Sequence, residues 1–166
     1  FGEINLTELK KYLNPQTILV SIMYANNEIG TIQPIEKISA VIKSFRQKKY
    51  LPFFHTDACQ AANYLNLDVK QLGIDFMTLN GGKIYAPKAS GILYKKGGLS
   101  IDPIIFGGGQ EKNLRSGTEN LTSWIGLAKA LDLTQKEKTA EIKKVKQLRD
   151  YLQKNILKIS KVILNG

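Results

Sequence analysis

Thr17 to Tyr24 is a continuous apolar run rich in β-branched residues, a pattern that predicts a strand covered on both faces. Pro34 then opens a segment running to about Lys48, in which Ile35, Ile38, Val41, Ile42 and Phe45 share one helical face. Leu51 to Thr56 predicts the next strand, ending at Asp57, with a short helix from about Gln60. Leu67 to Leu72 leads to another strand, Asp75 to Leu79, and Gly91 to Lys96 reads as a further strand turned by Gly97-Gly98. After the glycine-rich Gly107-Gly108-Gly109 segment, Leu121 to Leu133 and Glu141 to Leu157 read as two helices. Strands alternating with helices at these spacings predict an α/β fold, a mostly parallel sheet with crossover helices.

At 166 residues and 43% hydrophobic content the chain can bury one ordinary core, since domains commonly run about 100–150 residues. It starts at Phe1 without an initiator Met and ends just after Val162-Ile163-Leu164, a strand-like beginning, so a piece of a longer protein is expected. One cysteine and one histidine cannot build a disulfide framework or a four-ligand zinc site. No charged segment followed by an apolar one opens the chain. The longest apolar stretch falls short of the roughly 20 residues that span a bilayer, so no membrane partner and a cytoplasmic location are expected. The net charge of +10 sits largely at Lys43 to Lys49 and Lys136 to Lys161. There, Ile142, Val145, Leu148, Leu152 and Ile156 follow helical spacing with lysines on the other face. A solvated helix face accounts for that charge, and no aromatic stripe interleaves it, so no nucleic-acid partner is expected.

The predicted topology puts Asn27, Asp57 and Lys83 each just beyond the carboxyl end of a strand, the rim where open α/β sheets bind ligands. An amine that must bond reversibly to an aldehyde needs a fixed place and a lowered pKa, which a strand-end loop in a partly desolvated cleft can provide. A carboxylate such as Asp57 can hold a heteroaromatic nitrogen protonated; it can also cap a helix. His55 is expected to pack or hydrogen-bond within its strand. Four residues along a strand span roughly 13 Å, too far for a Cys59–His55 pair, and Cys59 is expected to be a buried, inert thiol. Gly107 to Gly109 fits neither the Walker pattern nor the dinucleotide fingerprint.

Four blocks stand in order: Asn26-Asn27-Glu28-Ile29-Gly30, His55-Thr56-Asp57-Ala58-Cys59-Gln60, Gly82-Lys83-Ile84-Tyr85-Ala86-Pro87-Lys88, and Gly107-Gly108-Gly109-Gln110-Glu111 with Arg115-Ser116-Gly117-Thr118. Together, in order and approximate spacing, they resemble the cysteine desulfurases. The resemblance runs from about Leu19 to the end of the chain. It implies part of the large domain of a fold type I enzyme using pyridoxal 5'-phosphate, a homodimer that takes sulfur from L-cysteine, leaves L-alanine and carries the sulfur as a persulfide. A sulfur-acceptor protein, such as an iron-sulfur scaffold, or tRNA thiolation would receive it. Lys83 would bind the cofactor covalently and move a proton at the substrate α-carbon. Asp57 would pair with the pyridinium nitrogen, and Gln60 would hydrogen-bond the phenolic oxygen. Asn27 would lie near that oxygen and the substrate carboxylate. Thr118 would reach the phosphate of the partner subunit's cofactor. Residues 1–135 would belong to the cofactor-binding domain, and 136–166 to a long helix leading into a smaller one.

Two departures stand out. The family usually has Ser-Gly-His-Lys where this chain has Asn80-Gly81-Gly82-Lys83, so an amide replaces a phosphate-binding hydroxyl and an imidazole is missing. Asn80 can still donate through its amide. The family's catalytic cysteine, substrate-binding arginine and ring-stacking histidine are all expected outside these residues, which predicts that the piece alone is inactive. A related aminotransferase or lyase of the same fold, or a non-catalytic basic module, are the alternative readings.

Overall fold

The computed structural model describes residues 2–46 and 50–165. Its elements run α1 (Leu6–Tyr12), β1 (Leu19–Met23), α2 (Ile35–Arg46), β2 (Phe53–Asp57), α3 (Val69–Leu72), β3 (Phe76–Asn80), a 3-10 turn (Gly81–Lys83), β4 (Gly91–Lys95), α4 (Gln110–Asn113) and α5 (Leu121–Ile156). The sheet order is β1-β2-β3-β4. The first three strands are parallel and β4 returns antiparallel to β3, because only the short lysine loop separates those two strands and no crossover helix fits there.

Alternation along β2 sends Phe54 and Thr56 to one face, where both are fully buried. There Ile35, Ile38 and Ile42 of α2, the stripe legible in the sequence, pack with Phe54, Leu72, Ile74 and Met77. Burying one such side chain contributes about 1.5–3 kcal/mol. Beneath this layer the Asp75 carboxylate pairs with the Arg46 guanidinium. Asp75 also accepts from the Phe54 amide at 2.9 Å, while Arg46 Nε donates to the Pro52 carbonyl at 2.8 Å, so both charges keep partners at the start of β2.

The other face of the sheet carries Ser21, His55, Asp57 and Thr78 and is half open. The expectation that the first strand is covered on both faces therefore fails: Leu19 is 50% exposed, because α2 covers one side and no described element covers the other. The expected short helix from Gln60 is only a series of turns, held by bonds such as Ala61 N to Ala58 O at 2.9 Å and Leu65 N to Ala61 O at 2.8 Å. It stops where Asn66 and Asp68 start α3 with their own side-chain caps. α1 was not anticipated; Asn5 caps it by accepting from the amides of Thr7 and Glu8. The part of the helix expected from Pro34 to about Lys48 that follows Arg46 lies outside the described residues.

The two expected C-terminal helices are one helix of 36 residues. The apolar spacing lapses between Leu133 and Glu141, but that linker is made of helix-compatible residues with no Gly or Pro, and Lys136 bridges to Asp132 one turn back. The N-terminal half of α5 packs through Leu127 on Ala62 and Ile84. Gln135 Nε2 and Lys138 Nζ then donate to the carbonyls of Ala62 and Leu65. Past that point Val145, Leu148, Tyr151 and Leu152 are exposed. No described helix is long and apolar enough to cross a membrane.

Candidate active site at the carboxyl rim of the sheet

In-register pairing fixes the rim. Met23 of β1 lies opposite Asp57, and Asp57 lies opposite Thr78 of β3, so β1 and β2 end level and β3 runs two residues beyond them to Asn80. β3 then runs into Asn80, Gly81, Gly82 and Lys83. Asp57 caps the turn that follows it: its Oδ1 accepts from the Cys59 amide at 2.9 Å, an arrangement open to Asp or Asn. Asn80 does the same one strand over, its Oδ1 accepting from the Gly82 amide at 2.8 Å. The lysine is tied to the neighbouring turn from behind, since Asn63 Nδ2 donates to the Lys83 carbonyl at 2.7 Å. The loop beyond it holds Tyr85 at φ +61, sparsely populated backbone for an aromatic residue.

Lys83, Asp57 and Asn80 thus share one rim. Lys83 is exposed rather than sunk in a cleft. Asn27 sits in the exposed turn after β1, closed by Asn26 N to Thr31 O at 2.9 Å and by Asn26 Oδ1 accepting from Glu28 and Ile29. Gln60 is half-buried in the turn after Asp57. Among the described residues, the side chains of Lys83, Asn27 and Gln60 have no hydrogen-bond or ion-pair partner. An amine, a carboxylate and several amide donors at one rim are the donor set that a phosphorylated pyridine aldehyde takes, so these residues fit that group. Thr118 lies elsewhere, on a cavity of about 840 Å³ between β4 and α5 lined by Leu93, Arg115 and Trp124; Lys83 and Asp57 are not on it.

The lone thiol and the lone imidazole flank Asp57. Cys59 is half-buried; burial, then the hydrogen bond to Asp57 and its charge, push the thiol up to about 12. It is a thiol, not a thiolate, at neutral pH, as expected for an inert cysteine. His55 is bonded through both ring nitrogens, Nδ1 to Ser21 Oγ at 2.7 Å and Nε2 to Thr78 Oγ1 at 3.3 Å, and so does not pair with Cys59. Burial lowers its pKa, against the opposing pull of the Asp57 charge. Ser21, Thr78 and Asn63 were not singled out in the sequence. Each reaches its partner across 20 or more positions, and no local spacing encodes such a contact.

Fold and rim together define an α/β scaffold of the fold type I kind. The chain belongs to the aminotransferase class-V family, whose model matches residues 1–166. It is 45% identical over 166 residues to cysteine desulfurase IscS of Dictyoglomus turgidum, covering 99% of this chain and 41% of that protein. Among solved structures, a NifS-like protein from Rickettsia africae superposes with a TM-score of 0.89 at 34% identity, over 99% of this chain and 46% of its own. A structure of SspA in complex with cysteine superposes with a TM-score of 0.71 at 39% identity, over 79% of this chain and 37% of its own. The chain spans about two fifths of the length of the curated relatives it matches.

Proposed function

We propose that this chain is part of a cysteine desulfurase that binds pyridoxal 5'-phosphate, removes sulfur from L-cysteine, leaves L-alanine and passes the sulfur on as a persulfide. The observation that carries the reading is the level pairing of Asp57 with Thr78, which sets the acid one strand away from the loop holding Lys83. Similarity to cysteine desulfurases over the whole chain, and to a structure that holds cysteine, supports the substrate. When bound, pyridoxal phosphate supplies an electron sink that weakens the bonds at the substrate α-carbon.

This chain's residues divide the remaining work. The Lys83 amine would anchor the cofactor aldehyde and would hold or move a proton at the substrate α-carbon. The Asp57 carboxylate, already held by the Cys59 amide, keeps the proton on the ring nitrogen. Gln60 would donate to the phenolic oxygen, and Asn27 would lie near that oxygen and the substrate carboxylate. Asn80 would donate through its side-chain amide to the phosphate. Thr118, on the far cavity, serves the partner subunit's cofactor in a homodimer. We place the domain boundary near residue 135, a cytoplasmic location for the whole protein, and an iron-sulfur scaffold or the tRNA thiolation machinery as the sulfur's destination.

The raised pKa of the half-buried Cys59 thiol argues against it as the sulfur acceptor; in this reading the persulfide forms on a cysteine outside these residues and the 166-residue chain alone is inactive. In the full-length protein, cysteine should give equal amounts of alanine and transferable sulfur, and Lys83→Ala should abolish both. Gly82 supports a second reading, a related aminotransferase or lyase, because it leaves no imidazole beside the lysine. Keto-acid formation without sulfide release would select that reading.

A further inference from the structure

The half-open face of the sheet carries a polar row that the proposed chemistry does not use. Ser21 on β1, His55 on β2 and Thr78 on β3 are linked through the imidazole, at 2.7 Å on Nδ1 and 3.3 Å on Nε2. His55 and Asp57 are two residues apart on one strand, so they lie on the same face roughly 7 Å apart along the chain. Thr78, the far end of the row, is the register partner of Asp57. An imidazole bonded at both nitrogens to hydroxyls is held in one orientation, and hydroxyls can serve the neutral ring as donor or acceptor.

We propose that His55 is a positioning residue for Asp57: anchored as an uncharged ring between Ser21 and Thr78, it leaves the Asp57 carboxylate uncompensated and so available to the ring nitrogen of the cofactor. The proposal rests on the cofactor reading above. An imidazolium at this place would attract the carboxylate and repel the pyridinium it serves, so protonating His55 weakens cofactor binding. The lowered pKa of His55 agrees with an uncharged ring at neutral pH. Among the described residues, the ionisable groups facing it are few. On β2 and its turn they are Asp57 and Cys59. On β1, Leu19, Ser21 and Met23 share the face and none is charged, and β3 contributes Phe76, Thr78 and Asn80. On β4, Lys95 shares the face as the register partner of Phe76, with its ammonium engaged by the Leu99 carbonyl at 2.6 Å.

The test is the dissociation constant of pyridoxal 5'-phosphate from the full-length protein, measured by equilibrium dialysis between pH 7.5 and 5.5. Wild type should lose several times more affinity on acidification than His55→Gln, which keeps a hydrogen-bonding side chain but carries no charge; the difference stays below about tenfold because a ring with a lowered pKa is only partly protonated at pH 5.5. His55→Lys should bind the cofactor weakly even at pH 7.5. Ser21→Ala retains the imidazole and serves if His55→Gln does not fold: the NMR titration midpoint of His55 and the midpoint of cofactor loss should shift together. Equal acid limbs in wild type and His55→Gln, or midpoints that do not shift together in Ser21→Ala, would overturn the role of His55 and leave the cofactor reading standing. A wild-type protein with no affinity for pyridoxal phosphate at pH 7.5 would overturn the cofactor reading itself.

Discussion

The side-chain amide of Asn63 donates to the backbone carbonyl of Lys83 at 2.7 Å, tying the turn that follows Asp57 to the lysine that follows β3. The acid and the amine are therefore set by one another's turns rather than by two independent loops. Asn63→Ala or Asn63→Asp removes the donor. Each should cost about 0.5–1.5 kcal/mol in urea unfolding and weaken cofactor binding, while the order of unfolding events and the secondary structure seen by circular dichroism stay as in wild type.

Asp57→Asn separates the structural role of that residue from its chemical one. An asparagine oxygen can still accept from the Cys59 amide, so the turn persists and the unfolding midpoint should barely move. The charge is lost, and turnover of cysteine by the full-length protein should fall by about a hundredfold or more, the scale of a positioned proton-holding group. A fall in stability as large as the fall in rate would mean that the carboxylate is structural.

The same substitution should be felt by Cys59. With its pKa near 12, about one thiol in ten thousand is ionised at pH 8, so alkylation by iodoacetamide, read by peptide mass spectrometry, should be slow until the pH approaches that value. The carboxylate contributes to the upward shift, so Asp57→Asn should speed alkylation at pH 8. Burial is the larger cause, so the rate should remain below that of an exposed cysteine.

Gly126 lies inside α5, where alanine would ordinarily stabilise a helix by about 1 kcal/mol. Here an added Cβ would stand 2.6 Å from Pro87 Cγ in the lysine loop. Gly126→Ala should therefore destabilise, by about 1–3 kcal/mol as overpacking does, and should raise the cofactor dissociation constant by pushing the loop that carries Lys83. A stabilised variant with unchanged cofactor affinity would show that helix and loop are not in contact.

The sequence was most legible where a contact is local or periodic. The α2 stripe through Ile35, Ile38 and Ile42, the strand running to Asp57 and the one expected to end at Leu79, a residue short of the observed Asn80, and the rim that follows from their alternation all depend on spacing within a few residues. The parts that escaped depend on distant partners. The join of the two expected helices into α5 is driven by the helix-compatible residues between Leu133 and Glu141, where apolar periodicity is silent. Asn63, Ser21, Thr78 and Gly126 act on residues far along the chain, and each type is common enough that nothing local marks it. The open face of β1 was missed for a related reason: apolar composition says that a strand can be covered, not which element covers it.

The central claim, that Lys83 is the cofactor-bearing amine, is tested most directly by incubating the full-length protein with pyridoxal 5'-phosphate, reducing with borohydride and mapping the modified peptide by mass spectrometry. The cofactor mass should be found on Lys83, and Lys83→Ala should lose both the modification and cysteine-dependent alanine formation. Modification centred on another lysine, with alanine formation undiminished in Lys83→Ala, would contradict the account.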